Sequence, residues 1–182
     1  MKNKQINVRV IRGKLSEYSA DAYVLPFLPY HESISEVRLE VANAGAAGIR
    51  KFIDHRLQQR RLRLGDVFIV DSEGGKSHKL VNMVCRVLRE DYLDSEVFRS
   101  RDDMMKYALH NGFISLLTRS SEHNLRHIAM PPLCVSDHLP AKDFAQTLKK
   151  VLENFPSPHA VEQISILSED EEVLSRLNPE FA

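Results

Sequence analysis

The chain has no tryptophan, two cysteines and seven glycines among 182 residues, and no surplus of either charge. Each shortage narrows what the protein can be. Cys85 and Cys134 sit in no CxxC pair and no Cys/His spacing of the kind that holds structural zinc, so no metal is expected. One disulfide between them would need an oxidising compartment, to which nothing points, and a reducing cytosol is the default. Lys plus Arg and Asp plus Glu number 25 each, so no global field draws nucleic acid or an anionic membrane. No apolar run approaches the roughly 18 residues of a membrane span. The opening MKNKQINVRV lacks the apolar core of a signal peptide. A cytoplasmic protein is expected, with no membrane partner and no cofactor.

What is present is an ordinary globular balance, 43% apolar and 27% charged, at a length that suits one domain over residues 1–182. No repeat, linker or low-complexity segment divides it. Ile6 to Arg12 alternates apolar and polar residues and predicts a half-buried strand, closed by Gly13. Ala22 to Leu28 is a short apolar run of the kind a buried central strand carries, and Pro26 and Pro29 are expected to end it. Ser33 or Ser35 can cap a helix bearing Val37, Leu39 and Val41. A small-residue break, Asn43 to Gly48, precedes a second helix with Ile49, Phe52, Ile53 and Leu57. Two strands follow, Asp66 to Val70 and Lys79 to Val87, around the turn Ser72 to Lys76.

Asp91 to Arg101 is charged and without period, a surface loop. Asp102 or Asp103 starts a long helix through Met105, Ala108, Leu109, Phe113, Leu116 and Leu117. Arg126 to Met130 is a short strand stopped by Pro131 and Pro132. Pro140 or Ala141 opens a helix bearing Phe144, Leu148, Val151, Leu152 and Phe155. Val161 to Leu167 is a last strand and Asp170 to Leu177 a short acidic helix. Strands alternating with helices, with one β-β step, predict an α/β domain with helices on both faces of a sheet.

Several segments in this order resemble the macro domain. Asp21-Ala22-Tyr23-Val24 resembles the Asp-Ala-apolar start of that family's second strand. Leu64 to Val70 resembles its Gly-acidic-apolar strand, and Lys79 to Val84 its strand with a basic first residue. His127 to Pro131 resembles the strand-then-proline that leads into the phosphate loop. The resemblance covers roughly residues 6–167 and rests on order and spacing rather than on any one motif. It implies a three-layer α/β/α domain with a mixed central sheet of about six strands. It also implies a cleft at the carboxyl ends of the central strands, where the family binds ADP-ribose.

The residues expected in that cleft are largely replaced. The family carries Gly-Asp after its first strand, and the Asp bonds the adenine amine; here stands Gly13-Lys14, and a lysine only donates. The family's Asn pair after the second strand, which orients ribose and water, gives way to Pro26-Phe27-Leu28-Pro29-Tyr30-His31. Gly45-Ala46-Ala47-Gly48 stands where the first glycine loop would approach a phosphate; the plainer reading is a turn between helices. The second loop reads Pro132 to Pro140 with every glycine gone. The backbone around Cys134, Val135 and Ser136 can still face a ligand before the helix at 140, because a helix dipole needs no glycine. Asp137 would repel a diphosphate unless it faces away.

Cys134, Asp137 and His138 also make a candidate nucleophile, charge and base. Closeness in sequence does not set the ring against the sulfur, and a packed cysteine with a surface histidine is the preferred reading. His123 and His127 could share a metal only on one helix, and His127 falls in a strand. Arg56, Arg60, Arg61 and Arg63 form the one basic run between Arg56 and Arg63. Without aromatic residues among them they read as a solvated helix end, and nucleic acid is not expected. Tyr23, Phe27 and Tyr30 could stack on a base or simply pack. The favoured function is a non-catalytic binder of an ADP-ribose-related or other nucleotide-like ligand. The alternatives are an ADP-ribosyl or phosphoester hydrolase with replaced residues, and an interaction scaffold that kept only the fold. Association with a second copy is left open.

Overall fold

The computed structural model describes residues 5–27, 63–71, 79–85, 98, 100–133, 135, 139–156 and 159–181, with the side chains of Phe27 and Arg101 left aside. Six strands are described: β1 (Asn7–Arg12), β2 (Ala22–Phe27), β3 (Val67–Asp71), β4 (Lys79–Val84), β5 (His127–Met130) and β6 (Gln163–Ser168). Three helices accompany them: α1 (Arg101–Glu122), α2 (Ala141–Asn154) and α3 (Glu171–Phe181). The sheet order is β1-β6-β5-β2-β4-β3. All pairs are parallel except the antiparallel β3–β4 hairpin at one edge. The fold is α/β, as the alternation of periods predicted, and its mixed six-stranded sheet is the one the resemblance implied.

The two faces of the sheet are read by alternation along each strand. Val24, Val81, Met83, Ile128, Met130, Ile164 and Ile166 point to one face and join the large core built with α1, α2 and α3. On that side Phe113 of α1 meets Phe144 of α2 edge to face, with ring centroids 5.6 Å apart. The opposite face carries Tyr23, Leu25, Leu80, Ala129 and Leu167, covered by Leu15 and Ala20 from the crossing between β1 and β2. A third small cluster gathers Val84, Leu64, Met104 and Ala108 where the carboxyl end of β4 meets the first turns of α1. The two helices expected between residues 33 and 57 lie outside the described residues. So does most of the 91–101 loop.

Pro26 does not end β2. It stays in the strand opposite Met83 of β4. The pairing of β2 with β5 covers only Ala22 and Tyr23, so beyond that point the β5 side has no ladder to lose when a proline lacks its N–H. The last helix likewise runs past the expected Leu177 to Phe181, through Pro179. Phe181 packs against the main core, which holds the final turn. The long helix starts at Arg101 under a Ser100 cap, whose hydroxyl accepts from the Asp103 amide at 3.1 Å.

The turn into β3 depends on glycine. Gly65 has φ +83°, and a Cβ there would lie 2.6 Å from the Asn111 Cβ and 2.8 Å from the Gly112 amide nitrogen of α1. Both a left-handed backbone and a close helix approach therefore exclude a side chain. Gly65→Ala is expected to destabilise the protein by about 2–4 kcal/mol through strain and overpacking together. Denaturant unfolding checks this; a loss under about 1 kcal/mol would mean that α1 backs away freely.

Candidate functional site

The cleft expected from the sequence would lie at the carboxyl ends of the parallel strands. At the end of β1 the Gly13 amide donates to the Ser168 carbonyl at 3.0 Å, which ties the turn over the end of β6. Gly13 has φ +152° with open space around it. Lys14 follows, exposed and extended, and its carbonyl accepts from the Glu17 amide at 3.2 Å in the short 3-10 turn of Leu15–Glu17. Its ammonium supplies positive charge at this rim.

Two helix N-termini stand at the same end of the sheet. That of α3 is already closed: the Asp170 carboxylate accepts from the amides of Glu172 at 2.8 Å and Val173 at 3.2 Å. Glu171 and Glu172 of its first turn are engaged by Arg12 and Arg176. The N-terminus of α2 differs. Pro140 precedes it and supplies no side-chain cap. The acidic residue of its first turn, Asp143, is engaged by Lys106 of α1 at 2.8 Å. Hydrogen bonding to Asp143 and its charge hold the Lys106 pKa above its ordinary value. The first turn of α2 thus keeps the positive end of its dipole, next to the loop that leaves β5.

That loop is anchored by two fully buried residues, Leu133 and Leu139. Val135 between them is half-buried and packs on the main core. Of the residues assigned from sequence, Lys14 and Val135 are therefore placed, at the ends of β1 and β5. Gly45, Ala46, Ala47, Gly48, Cys134, Ser136, Asp137 and His138 lie outside the described residues, as does Tyr30. Of the arginine run only Arg63 is described; it is exposed, and its amide donates to the Asp66 carboxylate at 2.8 Å. Tyr23 turns out to be structural: it is 3% exposed, and its hydroxyl donates to the Tyr18 carbonyl. Burial raises its pKa. Among the described residues no group of three His, Cys, Asp or Glu side chains gathers to hold a metal.

A polar cluster that sequence reading missed lies toward the other end of the strands. Ser165 Oγ stands 2.9 Å from His127 Nε2, 3.1 Å from Gln163 Nε2 and 3.1 Å from the Tyr18 hydroxyl. His127 Nε2 and Gln163 Nε2 are 3.0 Å apart. The Tyr18 and His127 rings meet edge to face at 5.5 Å. A serine against a histidine invites comparison with a nucleophile and its base, but Ser165 is 0% exposed and no substrate carbon could reach it. The signal was available only in part. His127 interrupts an apolar strand, while its partners lie 36, 38 and 109 positions away and come together only in the sheet.

No family model matches the chain, and no curated protein does. Solved structures do. One is the Oceanobacillus iheyensis macrodomain with ADP, at TM-score 0.75 and 14% identity over 98% of this chain and 92% of that one. Another is a variant of the same macrodomain with ADPR, at TM-score 0.74 and 14% identity over 98% and 94%. A third is the macrodomain of Thermus aquaticus DarG, at TM-score 0.64 and 20% identity over 88% and 97%. The chain has the macrodomain fold. The likeness spans nearly the whole chain, and at such identity it concerns the fold alone. No helix among the described residues is long and apolar enough to cross a membrane.

The polar cluster gives this macrodomain fold a pH dependence. Burial pushes the His127 pKa below the ordinary value near 6.5; Asp21 opposes the shift and Arg9 adds to it. The unfolded chain therefore takes up the proton first. The stability carried by the neutral ring is complete above about pH 6.5 and is lost as pH falls through the folded pKa. Urea unfolding between about pH 5 and 7 should show a slope that His127→Gln reduces. A slope equal in the two proteins would take His127 out of the account.

Proposed function

We propose that this protein binds an ADP-ribose-related or other nucleotide-like ligand, without chemistry of its own, at the carboxyl ends of its central strands. The observation that carries the reading is the likeness, over nearly the full chain, to macrodomains solved with ADPR and with ADP. The N-terminus of α2 supports it. A helix first turn whose acidic residue is held by a lysine suits a phosphate. Lys14 stands exposed at the rim beyond β1, where the resemblance puts adenine.

The same lysine argues that adenine is held differently here than in the family. An ammonium cannot accept from an exocyclic amine. The protein is thus read as a binder whose adenine end is weakened and whose anion end is kept. The binding reading is favoured over a hydrolase because nothing described supplies an activated nucleophile or base at the strand ends. Ser165 is sealed, and His127 lies toward the opposite end of the strands.

Calorimetry and thermal shift against ADP-ribose, ADP, AMP, NAD, ribose 5-phosphate and short RNA test the proposal. A ligand at 100 times its Kd adds about 2.7 kcal/mol, a rise in Tm of roughly 5–10 °C for a chain of this size. If none of the panel shifts the transition, the proposal fails and the scaffold reading takes its place. Turnover of an ADP-ribosyl ester would overturn the non-catalytic half.

Lys14→Asp restores an acceptor at the rim. It should tighten ADP-ribose about tenfold, the order of one charge-assisted hydrogen bond. It should not tighten ribose 5-phosphate, which has no adenine. Equal affinities for ADP-ribose in the wild type and in both Lys14→Asp and Lys14→Ala would remove Lys14 from the site.

A further inference from the structure

With the Gln163 amide nitrogen directed inward, the donors and acceptors of the polar cluster fall into one order. The Gln163 amide nitrogen donates and cannot accept, and its two hydrogens meet two acceptors, Ser165 Oγ and His127 Nε2. The Tyr18 hydroxyl donates to Ser165 Oγ, which thereby fills both lone pairs. The Ser165 hydroxyl then donates to His127 Nε2. Two donors thus converge on one ring nitrogen, which carries no proton. A neutral ring is built into the arrangement.

The arrangement fastens a particular piece of chain. Tyr18 belongs to the crossing of residues 13–21, which descends from the carboxyl end of β1 to the start of β2. Its hydroxyl reaches Ser165, its ring meets that of His127 and its carbonyl accepts from Tyr23. Four residues upstream the same crossing carries Lys14.

We infer that protonation of His127 is a switch that loosens the 13–21 crossing from β5 and β6. A proton on Nε2 would face the N–H of Gln163 and the O–H of Ser165. Ser165 Oγ has no lone pair left unless it gives up Tyr18 or Gln163. Tyr18 is released unless the Gln163 amide turns over and presents its oxygen to the ring proton. The ionisable groups around the ring set the balance. Asp21 favours the charged form from the foot of the crossing, and Arg9 opposes it from β1. Tyr18 and Tyr23 face it with neutral hydroxyls. Arg126, beside it on the chain, is turned toward Glu162 at 3.9 Å, and Lys79 of β4 is held by Asp71. Among the described residues Asp21 is the carboxylate that compensates a proton on the ring, and it already accepts the amides of Arg126 and His127 at 2.8 and 2.9 Å.

The test is amide hydrogen exchange of the whole chain, corrected for intrinsic rate, with the imidazole of His127 titrated by NMR in the same samples. The protected amides of Glu17 and Tyr18, bonded to the carbonyls of Lys14 and Leu15, report on the crossing. From about pH 7.5 to about pH 5 their protection should fall about tenfold or more, the weight of one pKa unit, with the midpoint of the His127 titration. Protection in β4 should hold. Gln163→Glu puts a carboxylate where the ring proton needs an acceptor, so the crossing should stay fastened in acid. Ser165→Ala should leave it loose at both pH values. Constant protection while His127 titrates would overturn the inference. So would a different midpoint, or the same loosening in Gln163→Glu.

Discussion

One carboxylate sets where the central strands meet. Asp21 stands at the foot of β2, between β5 and β4. Its side chain accepts the amides of Arg126 and His127, its own amide donates to the His127 carbonyl at 2.9 Å, and its carbonyl accepts from Lys79 at 3.2 Å. Three strands that are far apart in sequence are thus pinned at one point. A parallel ladder has no hairpin to define its register, so some local contact must do it. Ala22 then falls opposite Ile128 and Lys79, and the apolar residues of β2, β4 and β5 reach the intended faces together. A slip of one residue would turn Val24 and Val81 away from the core and bring Leu25 and Asn82 into it.

The two faces differ in how they are covered. One face packs three helices against aliphatic strand residues and has Phe113 and Phe144 at its centre. The other, over β5 and β6, is covered by the irregular crossing, which packs Leu15 and Ala20 onto it and adds the side-chain hydrogen bond of Tyr18. Direct apolar packing resists change of pH, whereas a hydrogen-bonded attachment around an imidazole responds to it. The dipole ends are divided in the same way. At the N-terminus of α3 Asp170 accepts the first-turn amides, and at that of α2 Lys106 holds Asp143.

Much of the fold was legible in the order of residues. Alternation in Asn7–Arg12, the apolar run of Lys79–Val84 and the three-and-four spacing through Phe113 and Leu117 each match the element found. The ends were less legible. Pro26 reads as a stop, but the strand carries it because the β5 ladder has already ended. Pro179 reads the same way, but contacts of Phe181 keep the turn. In both cases the deciding partner is remote in sequence. Of the residues assigned from sequence, Lys14 and Val135 are described and follow the ends of β1 and β5. The Tyr18, His127, Gln163 and Ser165 cluster was not found, because no local pattern links a crossing to two strands.

The sequence by itself determined the types and the order of the described elements. Both are written in periods and identities within a few positions. Tertiary structure alone decided where the strands register and which histidine is buried against a serine. Those outcomes depend on contacts between residues tens of positions apart. A local propensity cannot encode such contacts, because their energy exists only once the sheet has brought the partners together.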